Sequence, residues 1–108
     1  MPLTREFKET VKAHADRDPA FRKGMLAEGI EDLLAGNIED GKTMLRYYIH
    51  ATIGFEQLAK ELNRSAKNLM RSLSPKGNAH ADNLFQTIAG LQKREGIALK
   101  VTPAKRVA

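Results

Sequence analysis

Residues 54–73 read GFEQLAKELNRSAKNLMRSL, two short amphipathic helices separated by a turn. At about 100° per residue, Phe55, Leu58, Ala59 and Leu62 share one face of the first helix. Ala59 is small enough to let a second helix cross close by. Asn63 stands where the chain must turn, and Asn tolerates the left-handed backbone better than most non-glycine residues. Ser65 is then a favourable N-cap, because its hydroxyl oxygen can accept from a free backbone N–H in the first turn of the second helix. With Lys67 at zero on the helical wheel, Arg71 lies at about 40° and Asn68 at about 100°, whereas Ala66, Leu69 and Leu73 fall at roughly 200–260°. One side of this helix is apolar and anchored. The other presents Lys67, Asn68 and Arg71, with Arg64 close by at the turn. Cations and amide donors on an outward ridge suit phosphates and base edges in the major groove of DNA.

The adjoining loop fits the same task. Lys76-Gly77-Asn78 is compact and basic, able to set Lys76 and a backbone N–H against a phosphate. From Lys60 to Lys76 there are five basic residues and a single acid, Glu61. Phosphate neutralisation by such a cluster makes binding steeply salt-dependent. The candidate DNA-binding set is therefore Arg64, Ser65, Lys67, Asn68, Arg71, Lys76 and Asn78. Many helical hairpins share this pattern, so an αα-hairpin with a solvated basic face is the alternative. Arg64 is expected to point outward, with its role as a DNA contact left open.

Toward the N-terminus the pattern stays helical. Thr4 can cap a first helix bearing Phe7 and Val11, which should stop near 16–18 because Asp18 precedes Pro19 and is pushed out of the α region. Pro19 suits the first turn of a second helix. Phe21, Met25, Leu26, Ile30, Leu33 and Leu34 form its core stripe, and Gly36 ends it in a left-handed conformation. Asn37 can cap a third helix with Ile38, Met44, Leu45, Tyr48 and Ile49 on its apolar side, although Gly41 weakens that helix. A break at 52–54 precedes helices at 55–62, 66–73 and 80–94. Residues 97–101 (IALKV) have strand character, suited to pairing with a two-fold mate or to packing across a dimer, and 102–108 read as a frayed tail. The expectation is an all-α single domain of five to six helices: N-terminal helices over 4–51, a helix-turn-helix region over 52–94, and a possible short strand and tail over 96–108.

Composition narrows the function. The 108 residues are 42% hydrophobic with no Cys and no Trp, enough for one largely aliphatic core. The absence of Cys excludes disulfides, thiolate catalysis and Cys-based zinc sites. Net charge is +5 and unevenly placed: residues 1–54 carry eight Lys/Arg against nine Asp/Glu, and residues 55–108 ten against four. A balanced half beside a strongly basic half fits a polyanion partner, or a surface that is basic and merely solvated. No apolar run is long enough to span a bilayer, and the first residues lack a basic-then-apolar signal pattern, so no membrane partner and a cytoplasmic location are expected. His14, His50 and His80 are too scattered for a metal site, and no nucleophile or phosphate-loop motif is present. No enzyme activity, cofactor or metal is expected. Met25, Met44 and Met70 read as core. Adjacent Tyr47 and Tyr48 must face differently, one to the core and one to a surface.

The residues also carry a resemblance. With Leu58-Ala59, Leu62, Ser65, Leu69, Arg71 and Leu84 in place, residues 54–84 resemble the lambda-repressor-like (Xre-type) helix-turn-helix. More broadly, residues 3–101 resemble the HigA-like addiction-module antidotes. The matching stretches are 7–10 (FKET), 17–22 (RDPAFR), 52–59 (TIGFEQLA), 67–71 (KNLMR), 75–78 (PKGN) and 83–85 (NLF). Two departures from the Xre pattern stand out: Gly54 replaces a hydroxyl cap, and Arg64 stands where a buried aliphatic is common. The resemblance implies a homodimer that binds a palindromic double-stranded DNA operator, represses its own operon and neutralises a cognate RelE/HigB-type ribonuclease toxin. Glu28, Glu31 and Asp32 would then be either a solvated helix face or a dock for a basic toxin. Two other readings remain: a stand-alone Xre-type repressor without a toxin, and a helical protein–protein adaptor.

Overall fold

The computed structural model describes residues 4–78 and 80–106; the first three residues, Ala79 and the last two residues of the expected tail lie outside the described residues. The chain is all-α. Among the described residues six helices follow in order: α1 (Arg5–Arg17), α2 (Pro19–Leu34), α3 (Ile38–Ala51), α4 (Phe55–Glu61), α5 (Ala66–Ser72) and α6 (Ala81–Glu95). Among the described residues no helix is long and apolar enough to cross a membrane.

The helix ends follow from local chemistry. Thr4 Oγ1 accepts from Phe7 N–H at 3.1 Å and starts α1. Asp18 is extended, as its place before Pro19 requires, and its carboxylate accepts from Phe21 N–H at 3.2 Å to start α2. That backbone N–H holds the Asp18 carboxyl below its ordinary value of 3.8. Gly36 (φ 88°) and Asn63 (φ 54°) are both left-handed, as their positions predict. Each sits in a Schellman ending: Asn37 N–H reaches Asp32 O and Arg64 N–H reaches Ala59 O. Asn37 departs from expectation. It precedes α3, yet its side chain makes no capping hydrogen bond: the turn that closes α2 leaves its backbone at φ −84°, ψ 70°, outside the extended conformation that a capping side chain requires.

Gly41 is explained by packing. A Cβ there would lie 2.7 Å from the Leu33 side chain and 3.0 Å from Gly29 O, and a Cβ on Gly29 would lie 3.4 Å from Leu45. The two glycines let α2 and α3 cross at backbone distance, which outweighs the weak helix propensity of glycine. Around this crossing Leu26, Leu45, Leu58, Leu69, Leu73 and Leu91 are fully buried. Each contributes about 1.5–3 kcal/mol by leaving water.

One polar hub crosses the core. Glu95, near the end of α6, accepts from Arg22 Nε at 3.1 Å on both oxygens and from Tyr48 Oη at 2.6 Å, while Arg22 Nη1 donates to Ala15 O at 2.6 Å. Burial, then the Glu95 hydrogen bond, push the Tyr48 phenol well above its ordinary value. Tyr48 is thus the core tyrosine and Tyr47 the half-buried one.

Some expectations fail. Residues 97–101 form no strand. Among the described residues their one backbone–backbone bond is Ile97 N–H to Gln92 O at 3.0 Å, which closes α6; Leu99 N–H donates to Gln92 Oε1 at 2.8 Å, and Ile97 and Leu99 pack against the core. The alternation is real, but it follows from one face of an extended tail lying on the helices. Leu34, Ile38 and Phe7 are exposed, because each lies near a helix end or beyond the reach of the neighbouring helix. Met70 is also exposed (48%), since it lies on the same outer side of α5 as Lys67.

His50 packs edge-on against Phe55, with ring centroids 5.0 Å apart. Burial, together with the cations Lys8 and Arg46, lowers its pKa from 6.5. The unfolded chain therefore binds the proton more readily than the folded one. Its contribution to stability is full above the ordinary value and falls as pH drops below it. Thermal melts taken from about pH 8 down to about pH 5 should show a declining Tm, and His50→Gln should flatten that decline.

Candidate nucleic-acid interface

The Ser65 hydroxyl accepts from Asn68 N–H at 3.3 Å, the capping bond its position predicts, and so begins α5. Leu69 and Leu73 anchor the inner side at 0% exposure. Lys67, Asn68 and Arg71 stand exposed on the outer side. Among the described residues no side-chain hydrogen bond or ion pair engages the Lys67, Asn68, Arg71, Lys76 or Asn78 side chains. A cationic ridge without internal partners keeps its donors available to an outside anion.

Beside the ridge, between α5 and the start of α6, lies an open polar depression of about 380 Å³. Arg64, Asn68, Arg71, Ser72, Asn78, His80 and Asn83 line it, and none of them is acidic. Four of the seven sequence-derived candidates thus meet in one concavity. Ser65, Lys67 and Lys76 do not line it: Ser65 spends its hydroxyl on the cap, and the two lysines project from the surface nearby.

Arg64 does not simply point outward, as the sequence led one to expect. It is half-buried and leans on α6, with Nη1 at 3.5 Å from both Asn83 O and Thr87 Oγ1. Those distances lie at the outer limit of hydrogen bonding, so the guanidinium is steered toward the depression rather than consumed. A half-buried arginine can cover apolar surface with its methylenes while its head stays polar.

Sequence reasoning missed Ser72, which adjoins Arg71 but carries no charge, and Asn83, which is distant from the ridge on a linear reading. It also missed the support behind the ridge. Lys42 of α3 is only 7% exposed, and its Nζ donates to Gly77 O at 2.7 Å. Arg46, one turn on, donates to Leu73 O and to Thr43 Oγ1. Both basic residues were visible, but a cation on another helix gives no sequence sign that it serves the 74–78 loop.

The chain matches no family model, no curated protein and no solved structure.

Gly77 is required by close approach rather than by an unusual φ. A Cβ at this position would lie 1.8 Å from Arg71 O, a backbone atom that also accepts from Ser74 N–H and Ser74 Oγ. The loop has to move to admit it. Gly77→Ala should lower stability by about 1–3 kcal/mol, the usual range for overpacking. Urea denaturation of the wild type and variant gives the comparison, and an unchanged midpoint would contradict the close approach.

Proposed function

We propose that α4, the turn at 62–65 and α5 form a helix-turn-helix, and that the protein binds duplex DNA in sequence-specific fashion with α5 in the major groove. The observation that carries this reading is the outward ridge of Lys67, Asn68 and Arg71 on a helix anchored from the opposite side by the fully buried Leu69 and Leu73. A base-reading side chain must be free at its tip and fixed at its root, and this helix meets both conditions. The acid-free depression beside it supplies Arg64, Asn78 and Asn83 for a phosphate flanking the groove. Lys76 extends the same positive surface. The excess charge of residues 55–108 supports the assignment, because phosphate neutralisation provides much of the affinity in such complexes.

The resemblance to HigA-like antidotes extends the proposal. In this reading the protein acts as a dimer on a palindromic operator, represses its own operon and neutralises a ribonuclease toxin. The exposed acids Glu28 and Glu31 of α2 offer a face to a basic partner on a side of the chain built from other helices than the DNA ridge.

Two experiments test these proposals. In anisotropy titrations against the protein's own promoter, Arg71→Ala and Lys67→Ala should each weaken binding. A base contact would cost about 1–3 kcal/mol and relax the preference at one position. A phosphate contact would instead lower the salt slope by about one. Wild-type affinity and preference in both variants would remove α5 from the interface. For the toxin, co-expression with the protein encoded next door should yield a stable co-purifying complex. A neighbour with no toxic effect and no complex would leave a repressor that acts alone.

A further inference from the structure

We propose that Lys42 and Arg46 of α3 are positioning residues for DNA recognition, fixing the exit of α5 and the 74–78 loop without touching DNA themselves. This rests on the DNA-binding reading above and identifies what holds that surface in place.

The geometry is specific. α5 has seven residues, too few to be stable on its own propensity. Its last carbonyls have no partner within the helix. Arg46 donates to one of them, Leu73 O, and Lys42 Nζ reaches Gly77 O at 2.7 Å. The two cations stand four residues apart, one turn of α3, so they grip two points of the same exit. Between those points the loop closes on itself: Ser74 N–H donates to Arg71 O and Gly77 N–H donates to Ser74 O. The approach is so close that Gly77 has no room for a Cβ.

Burial distinguishes this contact from a surface lysine. At 7% exposure the Lys42 residue as a whole is largely withdrawn from solvent, and no carboxylate pairs with it among the described residues. A buried charge needs strong acceptors, and a charge-assisted bond to a carbonyl is one. The chain thus commits a buried cation to the one loop that carries Lys76 and Asn78. Arg71, whose carbonyl lies under Gly77, is tied to the same exit. Loosening the exit would shift Arg71, Lys76 and Asn78 together while leaving the hydrophobic core intact.

Lys42→Met keeps the length of the stem and removes the ammonium; Arg46→Gln is the second variant, and decides the matter if Lys42→Met does not fold. Hydrogen exchange on the free protein should rise about tenfold at the Ser74 and Gly77 amides and stay unchanged at Leu45. Affinity for the promoter duplex should fall about tenfold, more than for a scrambled duplex. The slope of log affinity against log salt should not change, because no phosphate contact is lost. A slope lowered by about one would mean that Lys42 meets phosphate directly, and would overturn the positioning role. Unchanged exchange or unchanged promoter affinity would overturn it too. If the wild type binds neither duplex at low salt, the DNA reading itself falls, while exchange in the free protein still decides whether the clamp orders the loop.

Discussion

The backbone crossing of α2 and α3 at Gly29 and Gly41 is the constraint on which the remainder of the molecule depends. It sets how deeply α3 sits, and α3 is the element that the other helices share. Lys42 directly follows Gly41, so the depth of the crossing determines where its ammonium arrives. Tyr48, on the opposite course of the same helix, reaches Glu95 and so fixes the end of α6. One helix therefore holds both the N-terminal layer and the two short helices of the C-terminal half.

The short helices need that support. α4 and α5 have seven residues each, and helices of that length are not stable alone. They persist because Phe55, Leu58, Ala59, Leu69 and Leu73 are buried against neighbours, and because their ends are chemically closed. Asn63 closes α4 in a Schellman turn, Ser65 opens α5, and Arg46 caps its exit. Surface pairs such as Arg94–Glu61, at 3.1 Å but half-exposed, add little by comparison.

Charge is distributed by the same logic. The inward cations Arg22, Lys42 and Arg46 are paired with a carboxylate or with carbonyls, whereas Lys67, Arg71 and Lys76 are left to solvent. Arg64 is intermediate, guided by α6 yet open to the depression. Stability needs the first group satisfied, and a polyanion partner needs the second group free. Around α5 the fold achieves both by placing Lys42 and Arg46 behind the helix exit and Lys67 and Arg71 on its outer side.

The helices, most of their ends, and the opposite sides of α5 that carry Lys67 and Leu69 were legible in the residue order. Those depend on periodicity, on prolines and glycines at turns, and on hydroxyl or carboxylate caps, all of which act within a few residues. Thr4, Gly36, Asn63 and Ser65 behave as their local chemistry requires. Long-range packing settled that Asn37 would not cap, that Met70 would face solvent, that 97–101 would lie on the helices without a strand partner, and that Arg64 would lean on α6. It alone joined Asn83 to Arg71, and Lys42 to Gly77. These outcomes depend on which groups compete for one space or one acceptor, and residues 19 or 35 positions apart leave no trace of that competition in their order along the chain.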